Sequence, residues 1–536
     1  MTVPFLRIPP FPGHRAAPLA EASPSRNADD RSLAAALREA RVGGAYWGKA
    51  ASLPEGRSIV VSAAKPEIAG EATRYLRAAG LESQAVSLDR LPADADPWSL
   101  CAAADLVIAD ADDELLLVAA LSGCRVEPLG TGRFAALADA TMLEETLAAE
   151  LGRWTYRDPF TGDVLEPRQA ITVLARWRRL IDANRAVAAI YGIAPWKRIT
   201  ADALLWDGSG PVRHARAAEL PAPLPAGASQ VLAWIARSDA RTLSRLESRG
   251  VRIGEIEDGM IRSTGLGANC VPPLSIVVDA HGPHFDPAQA SELELLLETA
   301  TIPEDMLRRG VALRERLVSG GISKYGQDAE RLAGTRETSR KQVLVTGQVA
   351  DDRSVLRGGG GLDNLALLRR ARAHEPDAHI VFKPHPDVEA GHRKGHVPDA
   401  EALQHADEID RTSSIAALLD RVDAVHVLTS LAGFEALMRG REVVTHGVPF
   451  YAGWGLTHDL GAVPARRTRR RGLDELVAAT LILYPRYLDP VTRLPCEPET
   501  LVERIAGGQA EVRSGLIRLR EAQGRIKRVL GWMTGR

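Results

Sequence analysis

The sequence predicts an α/β fold built on parallel sheets, and three observations carry that prediction. Short apolar runs that stop at polar turns alternate with stretches of helical periodicity, and strands alternating with helices imply a parallel sheet covered on both faces. The pattern is clearest from Ala378 to Gly455, where apolar runs end at two polar turns, as happens when such a sheet presents side chains at its carboxyl edge. Part of the text also occurs twice. Tyr156-Arg157-Asp158-Pro159 returns as Tyr487-Leu488-Asp489-Pro490 after a spacing of 331 residues, and each copy is followed by a helical stretch.

Composition narrows the class. At 536 residues the chain is too long for one ordinary core, and two to four domains are expected. Apolar residues at 45% and charged residues at 25% exclude wholesale disorder, while a formal net charge of -2 removes a global electrostatic case for nucleic-acid binding. Cys101, Cys124, Cys270 and Cys496 are scattered, so neither a disulfide framework nor a zinc site is expected. No apolar run reaches the roughly 18 to 20 residues of a membrane span, and Pro9, Pro10 and Pro12 interrupt the N-terminus where a signal peptide would carry its apolar core. A cytoplasmic protein is the expectation.

Residues 1–55, rich in Pro, Ala and Arg, are expected as an N-terminal extension that wraps a surface. In 56–200 the apolar runs at 58–62 and 106–109 read as strands, 68–79 and 113–122 as helices, and 167–191 as one long helix. This text aligns with a later part of the chain: Asp105-Leu106-Val107-Ile108 and the helix ending at Gly123 match Asp423-Ala424-Val425-His426 and the helix ending at Gly440. Ala64-Lys65-Pro66 is set against Pro384-His385-Pro386, and Val118 against Glu435, so 56–200 reads as a degenerate partial copy of the later module.

That later module has a front domain at 201–335, with strands at 230–234 and 251–256 and a helix at 240–249 between them. Its back domain at 336–485 has strands at 341–346 and 379–383, and the polar loop 319–326 separates the two. A C-terminal helical segment, 486–536, carries a helix from 498 to about 530. Two α/β halves facing a cleft, with a helical return, describe a GT-B-like pair of Rossmann-type domains.

Several polar groups fall at strand ends. Glu257-Asp258-Gly259 with Arg262 and Ser263 follows one strand, either as an internal Glu257–Arg262 ion pair or as a catalytic or acceptor-side group. Gln348, Asp351, Asp352 and Ser354 follow another; a carboxylate here suits a nucleophile or general base, against the alternative of a solvated turn. The two adjacent aspartates cannot both enter one site from an extended chain. Lys383-Pro384-His385-Pro386 clamps a histidine suited to a phosphate or carboxylate. Thr429 and Ser430 precede a helix whose N-terminal dipole favours an anion, and Glu435 lies within reach of a ribose hydroxyl pair. Arg466 to Arg471 is the one dense basic run, either a solvated loop or a patch drawn to an anionic membrane or phospholipid head group. His281 and His284 read as hairpin-turn residues in preference to metal ligands.

The ordered set Glu257-Asp258-Gly259 with Arg262-Ser263, Pro273-Leu274-Ser275, Asp279, Ser323-Lys324-Tyr325, Gln348 with Asp352 and Ser354, Lys383 to Pro386, Ser430 to Leu437 and Tyr451 to Gly455 resembles the KpsC/LipB-type capsule polysaccharide proteins. The likeness covers about 200–500 in continuous order. It implies a bacterial β-Kdo transferase that builds the oligo-Kdo linker between a lysophospholipid and a capsule polymer. Family members commonly carry two modules in tandem; here only the second is expected to be active, because the first lacks a front half and the His-Pro pair.

By the same resemblance the donor is CMP-Kdo, held by Lys383, His385, Pro386, Thr429, Ser430, Glu435, Gln348 and Ser354. Asp352 is the implied nucleophile of a retaining double displacement, Glu257 or Asp258 its acid/base partner, and Arg262, Ser263, Lys324 and Tyr325 line the acceptor side. No cofactor or metal is expected. A lipid-linked Kdo acceptor, a capsule synthesis or export complex at the inner membrane and a peripheral location there are the expected partners and place. A transferase of the same fold using another activated sugar, and a non-catalytic scaffold of such a complex, are the alternatives.

Overall fold

The structure is a computed structural model that describes residues 3–23, 32–216, 224, 227–264, 270–324, 326–327, 339–391 and 393–510. The chain forms two compact units. The first comprises Met1–Ala186, Asp202–Val212 and Thr492–Leu494, the second Val187–Ala201, Arg213–Val491 and Pro495–Arg536.

The first unit is built on a four-stranded parallel sheet in the spatial order Ala85–Ser87, Ile59–Ser62, Leu106–Asp110, Arg125–Leu129. The helix Leu115–Leu121 is apolar on every side and correspondingly buried. What covers it was not legible: Phe5, Leu6, Phe11, Leu19, Leu33, Leu37 and Tyr46 are at most 2% exposed and share one core with Val107, Leu116, Leu117 and Trp177. The first 55 residues thus supply core side chains, in contrast to the expected surface extension. Phe5, Leu6, Phe11 and Leu19 are interspersed with prolines and carry no period, while Leu33, Ala34 and Leu37 form one face of the short helix Leu33–Ala40.

Among the described residues the second unit contains two large sheets and the small hairpin Ile322–Ser323 with Gly326–Gln327. The front sheet has seven strands in the order Pro495–Cys496, Arg486–Leu488, Ser275–Asp279, Arg252–Asp258, Gln230–Ala233, Val187–Tyr191, His214–Ala215. The last four run parallel and the others antiparallel. Val187–Tyr191 corrects the expected long helix, which stops at Asn184. Its five residues suit either period, and the decision rests on pairing with Gln230–Ala233, a contact distant in sequence. The back sheet is wholly parallel, in the order Glu408–Ile409, His379–Lys383, Gln342–Thr346, Ala424–Val427, Glu442–Thr445, His458–Asp459.

The repeated Tyr-x-Asp-Pro text has a structural counterpart in both copies. Thr155–Arg157 pairs antiparallel with Val164–Leu165 and leads into the helix Pro167–Asn184. Arg486–Leu488 pairs likewise with Pro495–Cys496 and leads into Pro498–Ala506. Each helix opens with proline after a glutamate N-cap, where the missing N–H costs nothing. Asp158 Oδ1 accepts from Phe160 N and Asp489 Oδ1 from Val491 N, so the aspartate closes the turn. Residues 511–536, where the C-terminal helix was expected to continue, lie outside the described residues.

Strand order also corrects one alignment. In the back sheet, His379–Lys383, Gln342–Thr346, Ala424–Val427 and Glu442–Thr445 follow the same spatial order as the four strands of the first unit. Matched this way, Ile59–Ser62 corresponds to Gln342–Thr346, so the turn holding Lys65-Pro66 answers the turn at Gln348. Lys65-Pro66 is not the counterpart of His385-Pro386. Two helices that both begin with proline had made the wrong pair look alike.

Candidate active site

The carboxyl edge of the back sheet carries a chain of polar contacts. Gln348 Nε2 donates to Thr429 Oγ1 at 3.1 Å and Gln348 Oε1 accepts from Thr429 N at 2.9 Å, tying together the ends of two adjacent strands. Thr429 Oγ1 lies 3.4 Å from Ser354 Oγ, which donates to Asp352 Oδ1 at 2.7 Å. Asp352 also accepts from Ser354 N at 2.9 Å and so caps the helix Arg353–Gly358, yet its residue stays exposed. Asp351 is engaged by Arg393 at 3.0 Å. The two aspartates are thus engaged separately, Asp351 in the turn by Arg393 and Asp352 at the helix start.

His385 caps the short helix Pro386–Glu389, its Nδ1 accepting from Asp387 N at 3.2 Å. That bond leaves the proton of the neutral ring on Nε2. Burial lowers the His385 pKa below its ordinary value against the opposing charges of Asp387 and Asp352. Lys383 Nζ donates to Ser413 O at 2.5 Å, so this ammonium braces the neighbouring loop.

Ser430 caps Leu431–Met438 by accepting from Ala432 N at 3.2 Å, and Tyr451 Oη donates to Ser430 O at 2.5 Å. Gly433 makes that contact possible, because a Cβ there would stand 2.2 Å from Tyr451 Oη. Gly433→Ala is accordingly expected to displace Tyr451 and lower stability by about 1 to 3 kcal/mol, read by thermal unfolding; an unchanged midpoint would show that the ring moves freely. Glu435 is 6% exposed and accepts from Lys324 N at 3.2 Å.

The front sheet contributes carboxylates from Arg252–Asp258. Alternation puts Glu255 and Glu257 on one face and Asp258 on the other. Arg353, next to Asp352 in sequence, binds both glutamates: Nη1 lies 2.9 Å from Glu257 Oε1 and also pairs with Glu255, with the guanidinium 5.1 Å from the Phe285 ring. Burial and the charge of Glu255 push the Glu257 carboxyl up to about 8 against the opposing pull of Arg353. Burial would raise Asp258 as well, but Lys197 at 3.0 Å and Arg262 at 2.8 Å outweigh it and hold this carboxyl below its ordinary value. The two carboxyls of the Glu-Asp pair are thus shifted in opposite directions.

Other expected residues have different places. The internal ion pair of the turn is Asp258–Arg262, with Glu257 turned to Arg353. Arg262 is 1% exposed and donates to Ser263 Oγ and Val271 O, and Ser263 is fully buried. Both brace the turn from inside and present no surface to an acceptor. Lys324 is fixed through its backbone, its carbonyl accepting from Arg262 N, while Tyr325 lies outside the described residues.

His281 sits in a turn closed by Asp279, whereas His284 is half-buried against Phe285, Phe450 and Tyr484, and desolvation pushes its pKa down to about 3. Among the described residues no group of three His, Cys, Asp or Glu is placed to hold a metal ion. The arginine run is partly engaged: Arg467 and Arg471 are buried, while Arg466, Arg469 and Arg470 remain exposed. Arg466 and Arg467 pair with Glu294, Thr468 Oγ1 and N donate to Glu298, and Arg471 donates to Glu475, Leu297 O and Ala300 O. The run clasps the helix Glu292–Thr299.

Four contributors escaped the sequence reading: Glu255, Arg353, Asn364 and Lys197. Asn364 locks the Gln348 backbone from both sides, its Oδ1 accepting from Gln348 N at 2.9 Å and its Nδ2 donating to Gln348 O at 2.8 Å. The Glu-x-Glu spacing of 255 and 257 was a usable signal of a shared face. Lys197 meets Asp258 across 61 residues and left none.

The fold and site define a class: a GT-B-like α/β protein in which the front and back sheets of one unit meet at a shared Arg353, with capped polar turns along the back sheet's carboxyl edge. Comparison with known proteins is specific. Residues 316–487 match the family described as "Capsule polysaccharide biosynthesis protein". Capsule polysaccharide modification protein LipA of Neisseria meningitidis serogroup A / serotype 4A is 36% identical over 368 residues, 68% of this chain and 52% of LipA. Lipopolysaccharide-processing protein LpsZ of Rhizobium meliloti is 41% identical over 242 residues, 44% of this chain and 54% of LpsZ. The solved structure of Thermosulfurimonas dismutans KpsC, beta Kdo 2,4 transferase, is 30% identical, with a TM-score of 0.52 over 60% of this chain and 98% of that one. The chain belongs to the KpsC/LipB-type capsule polysaccharide biosynthesis family. It spans about half the length of the curated relatives it matches.

Proposed function

We propose that this chain is a retaining β-Kdo transferase that moves Kdo from CMP-Kdo to a lysophospholipid-linked Kdo acceptor in capsule linker synthesis. The observation that carries this reading is the exposed carboxylate of Asp352, aimed by Ser354 at the end of the Gln348–Thr429–Ser354 chain. Asp352 attacks the anomeric carbon, the bond to CMP breaks, and a covalent glycosyl ester forms. An acceptor hydroxyl then displaces Asp352, and two inversions retain the configuration.

Glu257, protonated at neutral pH, gives its proton to the departing phosphoryl oxygen in the first step and takes the acceptor hydroxyl's proton in the second. Asp258, held ionised by Lys197 and Arg262, stays structural. His385 Nε2–H and the Ser430 helix start receive the phosphate, and Glu435 receives the ribose. A lipid acceptor puts the reaction at the inner membrane surface. No helix among the described residues is long and apolar enough to cross a membrane.

The donor assignment predicts that CMP raises the thermal midpoint where equal UDP does not. At a hundredfold excess over Kd the stabilisation is about 2.7 kcal/mol. Equal stabilisation by UDP would overturn the choice of CMP, and absence of Kdo transfer from CMP-Kdo to a Kdo-terminated lipid would overturn the function.

A further inference from the structure

We propose that the back sheet carries a proton-operated switch: a stack of four histidines, two of them buried against each other, which on protonation opens the strands that lead into the donor-site turns. The opening stands without the transferase reading, while its coupling to CMP rests on that reading. Strand register places the group. His426 lies opposite Val345 and Val444, and Val444 opposite His458, so these side chains share one face of the sheet with His446, two residues after Val444. That face packs on the helix Asn364–His374, since Val345, Ala424 and Leu428 share a core with Leu367, Leu368 and Ala371. His374 ends the helix over the rings. Its centroid is 5.1 Å from His458 and 5.5 Å from His426, which is 5.2 Å from His446. The stack thus runs inward from exposed His374 and His458 to His426 and His446, which are 0% and 2% exposed.

The buried pair is built to stay neutral. His426 Nδ1 and His446 Nε2 are 3.0 Å apart, so one ring donates its N–H to the other. The outer nitrogens, His426 Nε2 and His446 Nδ1, are buried and have no hydrogen-bond partner among the described residues. A neutral pair leaves one outer N–H without an acceptor; a protonated pair leaves two and adds a charge. The surroundings do not offset that charge. Lys341 bears on His426 and Arg370 on His446, both as repelling cations, alongside His374 and His458. Glu375 brings a carboxylate to 3.9 Å from His426 Nε2, but Lys341 engages it at 2.6 Å and Glu442 at 2.8 Å. Burial first, and then these neighbours, push His426 down to about 3 and His446 to about 4.

Both values lie below the ordinary 6.5, so the open state binds more protons and closure weakens as pH falls below about 6.5. Each ring released to its ordinary value multiplies the opening constant by about ten between pH 7.5 and 5.5, and the pair by about a hundred. The strands concerned feed the donor site. His426 precedes Thr429 by three residues, and Gly447 follows His446 directly. Asp459, next to His458, accepts from Gly453 N at 2.9 Å and Thr445 Oγ1 at 2.8 Å, and Tyr451 of the same turn holds Ser430 O. Opening at the histidines therefore frees the turn that braces the Ser430 helix start.

The test is amide hydrogen exchange of the full chain at pH 7.5 and 5.5, read by peptide mass spectrometry with exposure times scaled for the intrinsic pH dependence of exchange. Peptides within 424–459 are expected to open about a hundredfold more at pH 5.5, reversibly, while peptides within 106–121 of the first unit stay unchanged. The gain should vanish in His426→Leu/His446→Leu. His446→Gln, which keeps a polar partner for His426, should retain about tenfold and serves should the double variant not fold. A gain below tenfold in the wild type, or equal loss of protection in both units, would overturn the local switch. A full response in either variant would overturn its assignment to the pair. CMP is expected to restore protection of 424–459 at pH 5.5. If CMP stabilises the chain at pH 7.5 yet restores nothing there, the coupling to the donor site is overturned; if it does not stabilise the chain at all, the donor reading fails and the opening is decided by exchange alone.

Discussion

Asp352→Asn is expected to reduce Kdo transfer by about a thousandfold or more, since it removes the proposed nucleophile while keeping its shape. Asparagine is the better substitution because Asp352 has a second task. It caps Arg353–Gly358 by accepting from Ser354 N, and asparagine caps about as well as aspartate. Thermal unfolding of Asp352→Asn is therefore expected to match the wild type. Asp352→Ala loses the cap too and should fall by about 1 kcal/mol. Activity lost only in the alanine variant would assign Asp352 to the helix and remove it from the chemistry. Intact-mass measurement of the wild type after brief exposure to CMP-Kdo should find one Kdo added, and Asp352→Asn should show none.

Glu257→Gln is expected to lower transfer by about 10² to 10³-fold and to leave a distinct pH signature. The wild-type rate should fall as pH rises through about 8, where Glu257 loses its proton, and the variant should lack that limb. Stability supplies the second readout, with the sign fixed by linkage. The native carboxyl titrates above the unfolded one, so between about 4.5 and 8 the native state binds more protons and its stability falls as pH rises. Glutamine does not titrate. The midpoint of Glu257→Gln relative to wild type should thus improve from pH 5 to pH 9. A relative midpoint independent of pH would show that Glu257 is ionised throughout and cannot act as the acid.

What could be read in advance follows the range of the interactions involved. Strands such as His379–Lys383 and helices such as Leu431–Met438 announce themselves through local pattern, and the Tyr-x-Asp-Pro repeat marked two hairpins because an aspartate closing its own turn is a local event. Val187–Tyr191 was misread since five mixed apolar residues are decided by a distant strand partner. The arginine run was half legible for a related reason: its charge is visible in sequence, but the glutamates that engage Arg466 and Thr468 lie about 170 residues earlier. Within the candidate site the residue types at 257, 352 and 385 were legible. Which carboxylate of the Glu-Asp pair keeps a proton depended on Lys197, Glu255 and Arg353, placed by tertiary structure alone.

The sharing of Arg353 links motion to chemistry. Asp352 and Arg353 are consecutive residues, and Arg353 is the cation held by Glu255 and Glu257 of the opposite sheet. Any movement that parts the two sheets must break those ion pairs, and it carries the proposed nucleophile away from the proposed proton carrier by the same displacement. An open cleft admits substrates but holds an incomplete set of reacting groups. Wasteful hydrolysis of an activated sugar would then be restrained before the acceptor arrives, with the guanidinium acting as the clasp that reports closure.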